Sequence, residues 1–192
     1  NNTVTMGAGN VTLTATSKTI PYTITFVKGA DDDTIVLPAE YPYNVEQDVT
    51  LPKATRTGYQ FTGWTVSSVT DTADGNNGGW TINGIIETDE LNVGTGKYGN
   101  VELTAQWEAN TYTIKYDANT GTGTQMTDTP ATYDQSIEIY ACTYSKTGYT
   151  FKGWARNESG SDNTGLTYAD DNWKGLHVTA TNGGTVTLYA QW

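Results

Sequence analysis

The sequence predicts a mostly β protein built as two copies of one small module, and three observations carry that prediction. The heptapeptide GYQFTGW at 58–64 returns as GYTFKGW at 148–154, an offset of 90 residues. VELTAQW at 101–107 returns as VTLYAQW at 186–192, an offset of 85. Apolar and polar residues alternate through both pairs of segments, and no segment carries a long apolar period of 3.6 residues, so half-buried strands are expected and long helices are not.

The elements follow in order. NVTLTATS at 10–17 echoes NVELTAQW at 100–107, again at an offset of 90. Residues 1–18 therefore read as the last strand of a preceding copy, or a lead-in strand, with Val11, Leu13 and Ala15 on one face. An exposed apolar strand is a liability, so this strand is expected to pack on the first copy or on a neighbouring chain. The first copy then runs over 19–108 and the second over 109–192.

Each copy opens on a strand, TIPYTITF at 19–26 and TYTIKY at 111–116, in which Tyr112, Ile114 and Tyr116 share a face. GADDD at 29–33 and ANTGTGT at 118–124 supply turn formers for a hairpin connection. Tyr43 and Tyr133 match in the returning strand. LPKATRTGY at 51–59 and ACTYSKTGY at 141–149 leave room for a short helical turn. In the aromatic strand that follows, Gly153 permits a bulge that turns Trp154 inward out of phase. Leu91 and Val93 match Leu176 and Val178 and predict a further short strand. The alternating VELTAQW and VTLYAQW strands close the copies. Between them lie Glu108, Ala109, Asn110 and Thr111, a linker of four residues that spans at most ~14 Å, so the two modules must nearly touch.

The frame Gly-Tyr-x-Phe-x-Gly-Trp is either an aromatic platform for sugars or a core built twice. Hydrophobic residues make up 36% of the chain, but 6 Trp and 13 Tyr deliver that surface in large pieces. Burying one large apolar side chain is worth roughly 1.5–3 kcal/mol, and a module with few aliphatic residues cannot fold without such a contribution. Tyr59, Phe61, Trp64, Tyr149, Phe151 and Trp154 are therefore expected in the cores.

The net charge of −11, with only 10 Lys and Arg, repels phosphate backbones and anionic lipid surfaces, so no nucleic acid partner is expected. No apolar run approaches the ~20 residues of a membrane span, so no membrane insertion is expected in this segment. The single Cys142 cannot form an internal disulfide, and its neighbours Ala141 and Thr143 supply no base, so it reads as a small, partly buried apolar residue. The single His177 stands where the first copy has Asn92, on the outward face of a predicted strand.

Asp31, Asp32 and Asp33 read as a solvated turn. Calcium binding is the alternative there and at Asp170 and Asp171, although the D-x-[DN]-x-[DN]-G spacing is missing. GNNGG at 75–79 lacks the Gly-Lys-Ser/Thr of a phosphate loop. A Lys–Asn crosslink through Lys115 is not expected in both copies, because Thr25 stands at that place in the first. No catalytic, cofactor-binding or metal-binding residue is predicted, no cofactor is implied, and the chain is not expected to be an enzyme.

The series YTIKYDANTGTG, TYDQSI, GYTFKGW and VTLYAQW resembles the Listeria–Bacteroides repeat, the internalin B-repeat-like modules of bacterial surface proteins. The resemblance covers nearly all of the second copy and both ends of the first. It implies an α+β variant of the mostly β class: tandem β-grasp-like modules, each a small mixed sheet with a short helix or helical turn across one face, and the first and last strands side by side near its centre. It implies an extracellular place, secreted or attached to the wall of a Gram-positive bacterium, and no catalytic residues. The expected role is that of a stalk or spacer in an adhesin-like protein, partnered by adjacent repeats of the same chain. The alternative is a module that binds a host glycan or protein through variable loops such as 71–80 and 157–173.

Overall fold

Alternation sets the first strand of each repeat, and the last strand lies beside it. The computed structural model describes residues 14, 16–72, 75–169 and 172–192. The lead-in strand expected at Val11, Leu13 and Ala15, and the carboxylates Asp170 and Asp171, lie outside the described residues. The first repeat contains β1 (Tyr22–Val27), β2 (Tyr41–Tyr43), β3 (Val49–Thr50), β4 (Tyr59–Thr70), β5 (Ile85–Glu87), β6 (Asn92–Val93) and β7 (Asn100–Ala109). The second contains β8 (Thr111–Asp117), β9 (Thr129–Thr132), β10 (Ile137–Ile139), β11 (Gly153–Ala155), β12 (Leu166–Ala169), β13 (Asn172–Gly175) and β14 (Gly184–Gln191).

In the first repeat the main sheet has the order β2-β1-β7-β4-β5, with β3 and β6 paired apart from it. The second builds β11-β14-β8-β9 and a small sheet β10-β13-β12. First and last strands pair in parallel in both: Ile24 opposite Val101 and Phe26 opposite Leu103, then Ile114 opposite Val186 and Tyr116 opposite Leu188. Their inward residues meet in the cores, where Ile24, Leu103, Ile114 and Leu188 are fully enclosed.

The bulge at the aromatic frame forms as expected. The β4–β7 register shifts between Phe61 and Gly63. In the second repeat the Lys152 amide donates to the Gln191 carbonyl while Gly153 pairs with the same residue. Gly63 and Gly153 hold φ of 149° and 150°. A Cβ there would stand 2.4 Å from the Ile86 carbonyl oxygen and 2.3 Å from the Trp173 ring, respectively, so only glycine fits. The bulge delivers Trp64 and Trp154 into the two cores. Trp64 packs on Phe26 and Phe61, with centroids at 4.6 and 4.9 Å, and Trp154 on Tyr116 and Phe151, at 5.0 and 5.2 Å. Their indole N–H groups donate to the Pro52 and Tyr140 carbonyls, which satisfies the one polar atom each brings inside.

Four expectations are corrected. No helix is present among the described residues, so the helical turns expected over 51–59 and 141–149 are replaced by extended chain that ends in a tight turn. There Thr55 exchanges backbone hydrogen bonds with Val36, and Ser145 with Thr122. Those bonds to the β1–β2 and β8–β9 loops take the groups a helix would pair within itself, and Pro52 offers no amide at all. Leu51 and Ala54 of this segment still join the core.

Tyr149 is not a core residue: it is 60% exposed. Phe61 and Phe151 pack half-buried against the two cores as expected, whereas Tyr59 is half-buried against Tyr133 of the second repeat. His177 lies past the end of β13 in a bend with φ of 53°, not on a strand. The short strand predicted around Leu91 and Val93 forms as β6, but its counterpart in the second repeat is that bend, with Val178 buried and Leu176 exposed.

Candidate functional site

A cluster of charged and aromatic side chains that no motif in the sequence marks lies where the repeats meet. The turn before β4 presents it from the first repeat. The Arg56 carbonyl accepts from the Tyr59 amide, and Gly58 takes φ of 76° between them. Arg56 donates from Nε to Asp32 Oδ2 at 2.7 Å and lies over the Tyr59 ring, 3.4 Å from its centroid. Asp32 also accepts from the Thr34 amide. The central residue of the Asp31–Asp33 turn is thus an anchor for Arg56, while Asp33 is fully exposed.

The second repeat answers with Tyr133, Asp134 and His177. The Tyr59 hydroxyl donates to one carboxylate oxygen of Asp134, and the His177 ring Nε2 meets the other. Arg56 stands 3.9 Å from the same carboxylate. Tyr133 packs edge-on to Tyr59 at 5.9 Å and stacks on His177 at 4.5 Å. Backbone bonds fasten the join: the Asn110 amide donates to the Gly58 carbonyl at 2.9 Å, and the Tyr133 amide to the Asn110 carbonyl at 2.8 Å. The absence of a side chain at Gly58 makes this approach possible, since a Cβ would stand 2.2 Å from the Tyr133 ring.

The electrostatics follow the contacts. The Arg56 hydrogen bond, with help from Thr34, lowers the Asp32 pKa from 3.8 to about 2. The Tyr59 hydroxyl, and then His177, hold Asp134 below the ordinary carboxylate value. Reciprocally, donating to Asp134 raises the Tyr59 phenol. Each shift favours the ionised acid and the neutral phenol that the contact needs.

Asp134 and His177 stand where the first repeat has Asn44 and Asn92. That pair of Asn-to-charge differences between otherwise similar copies is the sequence signal that could have found them.

Elsewhere the chemistry is sparse. Cys142 is half-buried, and burial raises its thiol pKa. Among the described residues no three His, Cys, Asp or Glu side chains are placed to hold a metal ion. Lys115 forms an exposed ion pair with Asp128 at 3.9 Å. An open groove of about 540 Å³ in the second repeat is lined by Ile139, Cys142, Phe151, Tyr168 and Trp173 among others. Among the described residues no helix is long and apolar enough to cross a membrane, which says nothing of a β-barrel.

These features define a tandem array of small β modules with a built junction. The Listeria-Bacteroides repeat domain family matches at residues 22–82 and 112–191, well over half of the chain, and the chain belongs to that family. A relative from Evansella cellulosilytica, named "Putative Gly-rich membrane protein", is 28% identical over all 192 residues. The chain spans 18% of that relative's length. No solved structure matches the chain.

Proposed function

We propose that this chain is a non-enzymatic spacer segment of a bacterial surface protein, in which β-grasp-like repeats are held in series as a stalk. The observation that carries the reading is the parallel pairing of first and last strands in each repeat. Tension applied through the start of β1 and the end of β7 pulls these neighbours past one another. Their ladder hydrogen bonds are then loaded together rather than one by one. The strand order around this pair, β2-β1-β7-β4-β5, is similar to a β-grasp sheet. The family and the relative's name support a place at the cell surface.

Single-molecule pulling on the chain tests the reading. Two separate, high-force unfolding events are expected, one for each repeat. Gradual extension at low force would overturn it.

A second reading, glycan binding, is favoured by Tyr168 and Trp173, whose rings lie 5.5 Å apart at the open groove. A multivalent binder should repeat such a feature in both copies. The exposed large aromatics among the described residues, Tyr140, Tyr149 and Tyr168, all belong to the second repeat. That asymmetry supports the spacer over the binder.

A further inference from the structure

The corner of the second repeat formed by Lys146, Gly148, Tyr149 and the segment 149–152 has the build of the junction half already described, in open surroundings. Lys146 stands 4.5 Å from the Tyr149 centroid, as Arg56 stands over Tyr59. Lys146 is also tied to the first loop of its own repeat, through Thr120 Oγ1 at 2.8 Å, as Arg56 is tied through Asp32. The Lys146 carbonyl accepts from the Tyr149 amide, and Gly148 takes φ of 81°. The backbone and the cation are thus set as in the first repeat.

The surroundings differ. Gly58 is buried and its missing side chain is replaced by the Tyr133 ring, whereas Gly148 is exposed and a Cβ there would meet nothing within 4 Å. Tyr59 is half-buried and Tyr149 is 60% exposed. In the first repeat β4 starts at Tyr59 because Tyr59, Gln60 and Phe61 pair with Ala109, Glu108 and Trp107. In the second, β11 starts only at Gly153, so 149–152 lies outside any strand. An exposed tyrosine next to a bare glycine, beside a cation and a segment outside any strand, matches an incoming repeat whose turn carries an aromatic ring and an acid.

We propose that this corner is a docking surface for the leading edge of another repeat of the same kind. The residues leading into it would pair with Tyr149 and Thr150 as Ala109 and Glu108 pair with Tyr59 and Gln60, and its Tyr133-like ring would cover Gly148. Its Asp134-like carboxylate would accept from Tyr149 within reach of Lys146. The charge is complementary, a lysine meeting an acid, as at the observed junction. This rests on the spacer reading only for the placing of repeats in series.

The test is the chain extended after Trp192 by a second copy of residues 108–192. In NMR, amide protection at Thr150, whose counterpart Gln60 pairs with Glu108, should rise by about tenfold or more over the unextended chain, as for a newly formed ladder bond. The last two repeats should tumble as one body. Tyr149→Ala should uncouple them in the extended chain and leave the melting temperature of the 192-residue chain unchanged. Unchanged 149–152 shifts on extension, or independent tumbling of the last two repeats, would overturn the proposal. So would selective shifts of Tyr149 in the unextended chain on titration with soluble glycans. The pulling experiment reads the sheet within each repeat, so docking can fail while the stalk reading stands, and the reverse.

Discussion

Tyr59 and Tyr149 hold the same place in the same seven-residue frame, follow the same turn, lie beside the same kind of cation, and end in different surroundings. Tyr59 packs on Tyr133 and donates to Asp134, while Tyr149 faces outward at 60% exposure. Five residues further on the difference vanishes, and Trp64 and Trp154 are both sealed in their cores. The frame therefore has two functional halves. The part after the bulge is enclosed by its own repeat, through β1 and β7 or β8 and β14. Before the bulge Phe61 and Phe151 still pack on tryptophans of their own repeats, and only the tyrosine that opens the frame differs in its surroundings.

The largest effect that would sharpen this contrast is expected at the tryptophans. Trp64→Ala and Trp154→Ala should each destabilise their own repeat by about 3–5 kcal/mol, as truncation of a large core aromatic does. Urea unfolding followed by a probe in each repeat would read this. Equal and small losses at both sites would break the claim that the Trp half is self-enclosed.

A middle-sized effect is expected at the glycines. Gly148→Ala forces a Cβ into a left-handed backbone and should cost about 1–2 kcal/mol. Gly58→Ala carries the same strain and also drives a Cβ into the Tyr133 ring, adding about 1–3 kcal/mol of overpacking. Thermal melts of the two variants should differ in that order, and Gly58→Ala alone should loosen the junction. Matching losses would mean that Tyr133 yields freely and that the junction is soft.

The smallest effect is the pH dependence of the junction. Asp32 has its folded pKa depressed to about 2 from 3.8, and Asp134 is depressed too. The Asp32 contribution is therefore present above about pH 4 and lost as pH falls through about 2, and that of Asp134 is lost in the same direction. The Tyr59 phenol is raised above 10, so its contribution is present below pH 10 and lost as pH climbs through the folded value. A plot of urea midpoint against pH should fall on both sides of this window. Asp32→Asn should flatten the acid side, and an unaltered acid side would remove Asp32 from the account. Screening by solvent keeps this effect below the other two.

Much of the fold was legible because strands and turns are written locally. The alternation in TYTIKY and VELTAQW marks β8 and β7 directly, and the Gly-Trp pair marks the bulge. The helical turn expected over 51–59 was misread because the sequence does not show that Val36 returns to bond Thr55. Tyr149 was misread because its frame is the same as that of Tyr59, and exposure is not a property of a frame. The junction was least legible, since Arg56, Asp134 and His177 lie 43 to 121 positions apart along the chain and meet only after both sheets form.

By itself the sequence determined that the chain is β-rich, that it is built twice, and that Trp64 and Trp154 turn inward. Period-two patterning and glycine at a strained φ act over a few residues, so they need no partner to be read. Tertiary structure alone decided that β1 and β7 run in parallel, that a charged aromatic seam joins the repeats, and that Tyr149 is left open. These depend on which surfaces come within a few ångströms of one another, and contact between distant segments is set by the packing of whole sheets.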